Sequence, residues 1–312
     1  MTESTPPPLP PRPAATVMLI RDKAHGQTAH EDQAHEAQAH EDQAHEDQPH
    51  EDQPHEDQSL EVFLMRRHSA MEFVAGVMVF PGGGVDDRDR NADVAWHGPD
   101  RQWWAGRLGV EAELAEALVC AAARETFEES GVLFAGAADD SDLLVDDASV
   151  YGDERAALAN NTLSFGEFLR SEKLMLRADL LRPWANWVTP KEERTRRYDT
   201  FFFVGALPLG QRADGDNTET DKADWVTPQV GLDDFAEGRS FLLPPTWTQL
   251  DSLNGHTVSE VLTVERKISK VEPHLATDER GNWEIEFFNS ERYNEVRNRR
   301  APRGYTDGAP PA

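Results

Sequence analysis

The sequence predicts an α/β fold, a layered sandwich in which helices flank a mixed β-sheet. Apolar, strand-like runs occur near residues 14–21, 60–66 and 198–206. Residues 111–130 have the apolar spacing of one long helix, and segments rich in Gly, Pro and Asp separate the periodic stretches. Strands that alternate with helices in this way are typical of layered α/β domains.

The other elements follow from the same patterns in chain order. The predicted strands lie near residues 14–21, 60–66, 74–80, 132–135, 184–189, 198–206 and 283–288. The predicted helices lie near residues 101–108, 111–130, 165–173, 229–237, 246–253 and 257–266. Residues 139–153 and 210–224 are predicted loops because acidic and turn-forming residues dominate them, and we expect the second to be mobile.

One face of the long helix should pack on the sheet. At 100° per residue, its members form a single stripe made of Val119, Ala123, Thr126, Phe127 and Ser130. The glutamates near the end of the helix then lie on the opposite face.

The first half of this helix carries apolar residues that need a cover of their own. Leu114 and Leu118 extend the glutamate face upstream. The preceding segment contains Trp96, Trp103 and Trp104, so we expect it to fold over these leucines. The alternative is that the tryptophans form a private core within their own segment.

Three carboxylates project from one side of the helix near its end. Glu125, Glu128 and Glu129 are spaced i, i+3 and i+4, and like charges at this spacing destabilise a helix by about 0.2–0.5 kcal/mol per pair. A divalent cation removes that penalty, and carboxylate oxygens suit Mg²⁺ or Mn²⁺. Arg124 is close enough to orient Glu128, and Gly131 can adopt the left-handed conformation that ends a helix.

A solvated acidic face is the simpler explanation for clustered glutamates, since charged residues are mostly exposed. The flanking arginine and the terminal glycine favour a site instead. So do residues 80–84, Phe-Pro-Gly-Gly-Gly, which bend sharply and carry little side-chain bulk. We therefore expect the glycine bend and the acidic helical turn to meet in space around a divalent ion.

The two segments resemble a divided Nudix box, the metal and pyrophosphate site of Nudix hydrolases. The family pattern is G-x5-E-x7-R-E-U-x-E-E-x-G-U, where U is bulky and apolar. Gly83, preceded by Gly82, matches the first glycine, and Asp89 stands where the first glutamate belongs. The second half of the pattern is matched by Arg124, Glu125, Glu128, Glu129, Gly131 and Val132. Thr126 occupies an apolar slot, and residues 90–123 stand where seven residues are normal.

A split of this kind resembles the Nudix branch that contains the peroxisomal coenzyme A diphosphatase. The resemblance covers roughly residues 14–22 and 60–255. Its later segments are Trp-Val-Thr-Pro at 187–190 and 225–228, residues 195–202, and Leu-Pro-Pro-Thr at 243–246. It implies a Nudix-type α/β/α sandwich with a mixed sheet and added helices.

The resemblance also implies a metal site and a hydrolytic reaction. Glu125, Glu128 and Glu129, with the Gly83 carbonyl, would hold one or more Mg²⁺ or Mn²⁺ ions as cofactors. Glu125 or another nearby carboxylate would accept a proton from the attacking water, and Arg124 would fix the carboxylate geometry. Gly82, Asp89 and Gly131 would be structural members of the box. Candidates for a further ligand from outside the box are Glu192, Glu193 and Glu260.

The implied substrate is a small molecule linked through a nucleoside diphosphate, with coenzyme A or acyl-coenzyme A as the best match. ADP-ribose, NADH, dinucleoside polyphosphates and a non-catalytic sensor or binding module are the alternatives. Trp184 or Trp187 would stack on adenine, although buried tryptophans more often belong to the core.

A basic cluster precedes the strand at 198–206. Arg194, Arg196 and Arg197, with Lys191, are the predicted substrate-binding residues, because the planar guanidinium can make two hydrogen bonds to a phosphate. The alternative is a solvated turn whose charge is balanced by the adjacent glutamates at 192–193.

The amino-acid composition limits the classes of partner that the protein can bind. The formal net charge of −27 argues against nucleic acid and anionic membranes, and it requires that a polyanionic substrate be attracted locally. The single cysteine, Cys120, excludes an intrachain disulfide and suits a reducing compartment. No apolar run approaches the roughly 20 residues of a membrane span, so a cytoplasmic location is predicted. The oligomeric state is open, a homodimer included.

Residues 29–58 are six copies of a five-residue unit based on Ala-His-Glu-Asp-Gln. They contain no bulky apolar residue, so they are predicted to form a disordered His-rich loop between two strands. A solvated loop without a required role is favoured over weak binding of Zn²⁺, Ni²⁺ or Cu²⁺. The predicted organisation is a disordered leader at 1–13, one domain at 14–290 with an insertion at 90–123, and a tail at 291–312.

Overall fold

The computed structural model describes residues 7–23, 59–68, 76–90, 93–215, 217, 220–277 and 283–299. The repeat at 29–58 lies outside these ranges. The strands are β1 Arg12–Asp22, β2 Leu60–Arg67, β3 Met78–Val79, β4 Gly82–Gly84, β5 Trp96–His97, β6 Ala135–Ala137, β7 Leu174–Arg177, β8 Leu181–Val188, β9 Tyr198–Ala206, β10 Thr220–Val226, β11 Lys270–Val271, β12 His274–Thr277 and β13 Trp283–Glu286.

The α-helices are α1 Arg101–Leu108, α2 Ala112–Ser130, α3 Gly152–Ala159, α4 Phe165–Ser171, α5 Pro228–Ala236, α6 Pro244–Leu253, α7 Val258–Thr263 and α8 Ser290–Arg299. Short 3₁₀ turns lie at Ala148–Tyr151 and Ala178–Leu180.

A mixed sheet forms the centre of the molecule, in the order β10-β2-β1-β9-β8-β11. The β1–β9 and β8–β11 pairs are parallel, and the other neighbours in this order are antiparallel. The short strands β3 and β4 add to β2 and β1. Small sheets of β5-β7-β6 and β12-β13 complete the described strands.

Both faces of the central sheet are covered, so the fold is an α/β/α sandwich as predicted. Alternate residues of β1 enter separate cores, because successive side chains of a strand point to opposite faces. Val17 and Leu19 join the core that contains Phe127 of α2. Met18 and Ile20 join a second core with helices α5 to α8, where Trp247 and Tyr293 are buried.

Most residues of helix α2 are buried, and Glu113 in its first turn is exposed. The predicted stripe of Val119, Ala123, Thr126, Phe127 and Ser130 has no solvent exposure, which confirms its position against the sheet. Gly131 ends the helix with φ 71°, and its N–H donates to the Phe127 carbonyl.

The segment inserted before α2 covers the first half of that helix, as predicted. Trp104 of α1 is fully buried in the same core as Leu118, and its ring lies 5.8 Å from that of Phe203 in β9. Leu114 is partly buried against this core. Trp103, in contrast, remains 39% exposed, so only part of the tryptophan group forms the cover.

The structure corrects three predicted boundaries. Residues 220–224, assigned to the end of a mobile loop at 210–224, belong to strand β10, which lies at the edge of the sheet beside β2. Residues 290–299, assigned almost entirely to the tail, form α8. This helix packs on the domain, since Tyr293 is buried and its hydroxyl donates to the Leu242 carbonyl at 2.9 Å. The leader ends earlier than predicted, since β1 begins at Arg12.

Within the described ranges, no helix combines the length and the hydropathy needed to cross a membrane.

Candidate functional site

The glycine bend and the end of α2 meet, although residues 90–123 separate them in the chain. The Gly82 N–H donates to Glu129 Oε2 at 2.7 Å. A Cβ built on Gly83 would lie 2.5 Å from Glu125 Oε1, so this glycine sits directly against the carboxylate. The bend is fixed from behind, because β4 pairs with β1 through Ala15 opposite Gly83. The two segments therefore form one site.

Arg124 is the centre of the site. Its Nη1 lies 2.9 Å from Glu125 Oε1 and 3.1 Å from Glu128 Oε1. Its Nη2 donates to the Gly84 carbonyl at 3.0 Å, which ties the helix to the glycine bend. Only 10% of its side chain is exposed. The guanidinium thus fixes the relative positions of two carboxylates and the bend.

Asp89 is buried behind this arginine. Both of its oxygens accept from Arg124, from Nε and from Nη2, each at 2.9 Å. The Asp86 N–H also donates to Asp89 Oδ2 at 2.8 Å, and Asp86 itself pairs with Arg88 on the surface side of the turn. The Arg88 hydrogen bond lowers the pKa of Asp86 to about 2. Asp89 therefore positions Arg124, and both of its carboxylate oxygens are engaged in that contact.

Burial controls the protonation of the glutamates. It raises the pKa of Glu125 to about 7, against the opposing effect of the Arg124 guanidinium. It also raises the pKa of Glu128. Burial by itself would lower the pKa of Arg124, but the surrounding carboxylates outweigh it and raise that pKa. Charge in this pocket is therefore stabilised only by close partners.

The donor set fits a hard divalent cation. Glu125, Glu128 and Glu129 offer only oxygen, which Mg²⁺ and Mn²⁺ prefer. Among the described residues, no group of three or more His, Cys, Asp or Glu side chains is placed to hold a metal ion. Mg²⁺ does not require three protein ligands, because it usually binds one or two carboxylates and fills the other positions with water and substrate phosphate.

Three residues that the sequence analysis missed hold the last turn of α2. The Glu128 carbonyl accepts from Arg155 Nε at 3.1 Å, and the Glu129 carbonyl accepts from Asn217 Nδ2 at 2.8 Å. Arg155 also makes two 2.8 Å hydrogen bonds to Asp214, whose own N–H donates to the Ser130 carbonyl. These groups satisfy backbone carbonyls that a helix end leaves unpaired. No local pattern signals them, because Arg155 and Asp214 are far apart in the chain.

Substitution of Arg155 by lysine tests this clamp. Lysine keeps the charge but loses the two-point contact with Asp214, so Arg155→Lys should lower the melting temperature by a few degrees and kcat several-fold. Thermal denaturation and steady-state kinetics measure the two effects. Arg170→Lys on α4 is the control, because that arginine is exposed and contacts the Asp93 carbonyl. Equal behaviour of the two variants would contradict a clamp.

The predicted arginine cluster is divided by the structure. Arg197 is buried, donates to the carbonyls of Thr189, Pro190 and Leu9, and pairs with Glu272. The prediction that Arg197 binds substrate is therefore wrong, because backbone carbonyls and a carboxylate already occupy its donors.

Arg194 and Arg196 are exposed in the turn before β9. This turn lies at the same end of the sheet as the glycine bend, since Ala14 of β1 pairs with both Gly84 and Thr200.

Three other side chains considered in the sequence analysis are buried in the protein core. Trp184 and Trp187 are buried in the second core, so neither is available to stack on adenine. Cys120 is fully buried, and burial raises the pKa of its thiol, which agrees with a packing role.

Two of the glutamates proposed as outside ligands have other partners, since Glu193 accepts from Thr195 and Glu260 belongs to the capping box of α7. Glu192 lies 4.0 Å from His274, and its Oε2 is buried without a hydrogen-bond partner among the described residues.

Comparison with known proteins shows what the chain is similar to. A family model described as the NUDT19 Nudix domain matches residues 109–253. Acyl-coenzyme A diphosphatase NUDT19 of Xenopus laevis is 26% identical over 226 residues, which cover 62% of this chain and 59% of that protein. The Homo sapiens protein of the same name is 25% identical over 225 residues, which cover 62% and 60%. The matched region thus spans less than two thirds of either relative.

A solved structure shares the fold. The crystal structure of a NUDIX hydrolase from Alicyclobacillus acidocaldarius superposes with a TM-score of 0.60 at 24% identity, and it covers 83% of this chain and 98% of that chain. The matched region at 109–253, the common sandwich fold and the meeting of the two box segments make this chain similar to Nudix hydrolases, and to NUDT19 in particular.

Proposed function

We propose that the chain hydrolyses a diphosphate bond in a nucleotide-like substrate with the help of Mg²⁺ or Mn²⁺, and that coenzyme A or acyl-coenzyme A is the substrate. The observation that carries the proposal is the meeting of the acidic turn with the glycine bend: Glu125 and Glu128 pair with Arg124, Glu125 lies against Gly83, and Glu129 accepts from the Gly82 N–H. The similarity to relatives named acyl-coenzyme A diphosphatase favours the substrate.

Each residue of the site has a defined task. Glu128 and Glu129, with Glu125 and the Gly83 carbonyl, would hold the cation. When bound, the cation would neutralise the diphosphate and make a water molecule more acidic. Arg124 keeps the carboxylates oriented and is itself held by Asp89. Glu125, whose carboxylate lies against Gly83, would accept the proton from the attacking water at one of its oxygens.

The reaction consumes one water and breaks one P–O bond of the anhydride. Its products are two phosphomonoesters, and one proton is released. For coenzyme A these products are 3′,5′-ADP and 4′-phosphopantetheine. Arg194 and Arg196 are the remaining candidates to bind the 3′-phosphate, because both are exposed at the same end of the sheet as the glycine bend.

Other diphosphates and a non-catalytic role are the competing interpretations. ADP-ribose, NADH and dinucleoside polyphosphates contain the same bond. A pure sensor or binding module has no need for three clustered glutamates, two of which are held by a buried arginine. A cytoplasmic location remains a prediction.

A substrate panel tests the proposal. Coenzyme A, acyl-coenzyme A, ADP-ribose, NADH and a dinucleoside polyphosphate would be incubated with Mg²⁺, with Mn²⁺ or with chelator, and the products identified by mass. We expect chelator to abolish turnover. Glu129→Gln should lower turnover about tenfold, because glutamine keeps an oxygen acceptor for the Gly82 N–H but removes one charge from the site.

Glu113→Gln is the matched control, since Glu113 is exposed in the first turn of the same helix. Its turnover should equal that of the wild type. Hydrolysis that persists in chelator, or equal turnover in the Glu129 and Glu113 variants, would disprove a metal site at the glutamates. Products from ADP-ribose but not from coenzyme A would replace the proposed substrate and keep the reaction.

A further inference from the structure

A cavity of about 420 Å³ lies away from the glutamates, between the end of α1 and the segment that follows α7. Gly106, Arg107 and Gly109 line one side, and residues 265–268 line the other. Three of the lining residues are cationic and one is acidic. A local excess of positive charge is unusual in a chain whose formal net charge is −27.

Arg266 is the first unusual member of this cavity. Its guanidinium lies 4.1 Å from the centre of the Trp184 ring, so the ring supports it from one face. Burial lowers the pKa of Arg266, and no carboxylate among the described residues offsets that effect. A partly buried guanidinium without a counter-anion keeps its hydrogen-bond donors for another partner.

Arg107 is the second unusual member of this cavity. Its Nε is buried and has no acceptor in the part of the chain that the structure describes. Its guanidinium lies over the Trp103 ring at 5.2 Å, and Nη1 lies 3.7 Å from Glu265, whose side chain is 84% exposed. That separation is too long for a direct hydrogen bond, so Glu265 does not satisfy the arginine. Lys267 adds an exposed third cation beside them.

We propose that this cavity is an anion site that binds a phosphate group through Arg107 and Arg266. Two planar guanidiniums, each supported by an indole ring, can present paired N–H donors to phosphate oxygens. The bound anion would supply the acceptor that the buried Arg107 Nε lacks and the charge partner that Arg266 lacks.

The site is separate from the diphosphate-cleaving site. The cavity adjoins the turn before α2, whereas the glutamates lie on the last turns of that helix. From Ala112 to Glu125 the helix rises about 20 Å at 1.5 Å per residue. A phosphate in the cavity is therefore not the group that is cleaved. It is a separate phosphate, and inorganic phosphate in solution is the source that we test.

Phosphate binding by the full chain tests the inference without reference to catalysis. Calorimetric titration with inorganic phosphate, in chelator and against chloride of equal ionic strength, would give the Kd. Arg266→Gln and Arg107→Gln should each weaken binding about tenfold or more, because each removes a charged hydrogen-bond donor. Glu265→Gln should strengthen binding a few-fold by removing a like charge from the rim.

Arg101→Gln is the matched control on α1, since that exposed residue bears the same charge and does not line the cavity. Its Kd should stay within about twofold of the wild-type value. The inference is overturned if wild-type protein binds no phosphate, or if both cavity variants bind it as tightly as Arg101→Gln. Should Arg266→Gln fail to fold by circular dichroism, Arg107→Gln keeps the test, because its side chain is 31% exposed.

A kinetic arm, which rests on the proposed function, checks that the cavity and the diphosphate-cleaving site are separate. The 3′-phosphate and the diphosphate of coenzyme A are attached to the same ribose, so the cavity cannot bind the first while the glutamates bind the second. Arg266→Gln should therefore leave KM for coenzyme A and for 3′-dephospho-coenzyme A unchanged while the calorimetric loss persists. A tenfold rise of KM for coenzyme A alone would contradict a separate site, and failure of the chain to hydrolyse either compound leaves the calorimetric result intact.

Discussion

Replacing Gly83 by alanine should lower kcat about a hundredfold while leaving the protein folded. The added Cβ would lie 2.5 Å from Glu125 Oε1 and 2.6 Å from its Cδ, so the carboxylate must move. A carboxylate at the end of a side chain can yield without breaking the fold. A displacement near 1 Å at a catalytic group, however, costs about a hundredfold in rate. Steady-state kinetics and a melting curve of Gly83→Ala measure both effects.

The flanking glycines provide controls of opposite kinds. A Cβ on Gly84 meets nothing within 4 Å, so Gly84→Ala should retain wild-type kcat and stability. A Cβ on Gly82 would lie 2.5 Å from the Ala15 carbonyl oxygen and 2.6 Å from Thr16 Cα. Because backbone cannot yield as a side chain does, Gly82→Ala should lower the melting temperature. Full activity in Gly83→Ala would show that the position of Glu125 against the bend has no role in turnover.

The sequence predicted the elements whose signals are local. Helix α2 ends at Ser130 because Gly131 adopts a left-handed conformation, and glycine at that position was the signal. Strand β9 at Tyr198–Ala206 was found from the apolar run at residues 201–204. Strand β10 was missed because Asp221, Lys222 and Asp224 make it polar, and a polar edge strand can be recognised only by its pairing with β2.

The candidate site likewise contains residues whose arrangement the sequence predicted and residues whose role it did not predict. The acidic turn and the glycine bend could be predicted to meet because their residues resemble the two halves of the Nudix box. The structural role of Arg197 could not be predicted. Its partners are the backbone carbonyls of Thr189, Pro190 and Leu9, and every residue type has such a carbonyl. The Arg155–Asp214 ion pair could not be predicted either, because the two residues belong to separate segments and neither lies in a recognisable motif. Contacts that depend on tertiary packing leave no pattern in one chain.

The charge of the site explains how so acidic a protein can accept a polyanion. Asp89, Glu125, Glu128 and Glu129 carry four negative charges when all are ionised, and Arg124 supplies one positive charge. Burial of Glu125 and Glu128 makes the remaining charge costly, as their raised pKa values show. One divalent cation would offset that cost and reduce the net charge of the site from −3 to −1, and a second would make it +1. We therefore expect metal to be required for substrate binding as well as for the chemical step.

Asp89→Asn should produce the largest loss of stability among the site variants. Asp89 is 2% exposed and accepts two 2.9 Å hydrogen bonds from Arg124. An asparagine amide would direct N–H groups at the guanidinium and leave part of its charge unpaired. Breaking a buried pair costs roughly 3–5 kcal/mol, and the remaining contacts of Arg124 with Glu125 and Glu128 favour the lower end of that range. A loss of about 3 kcal/mol corresponds to a fall in melting temperature of roughly 6–12 °C.

Asp86→Asn makes the same chemical change on the same turn and isolates the effect of burial. The Asp86 side chain is 34% exposed and pairs with Arg88, whose side chain is 36% exposed. Partly solvated pairs contribute about 1 kcal/mol or less, so Asp86→Asn should lower the melting temperature by no more than a few degrees. Thermal denaturation of both variants in chelator removes any contribution from bound metal. Equal losses would show that Asp89 acts as an ordinary surface carboxylate, and Arg124 would then be held by its glutamates alone.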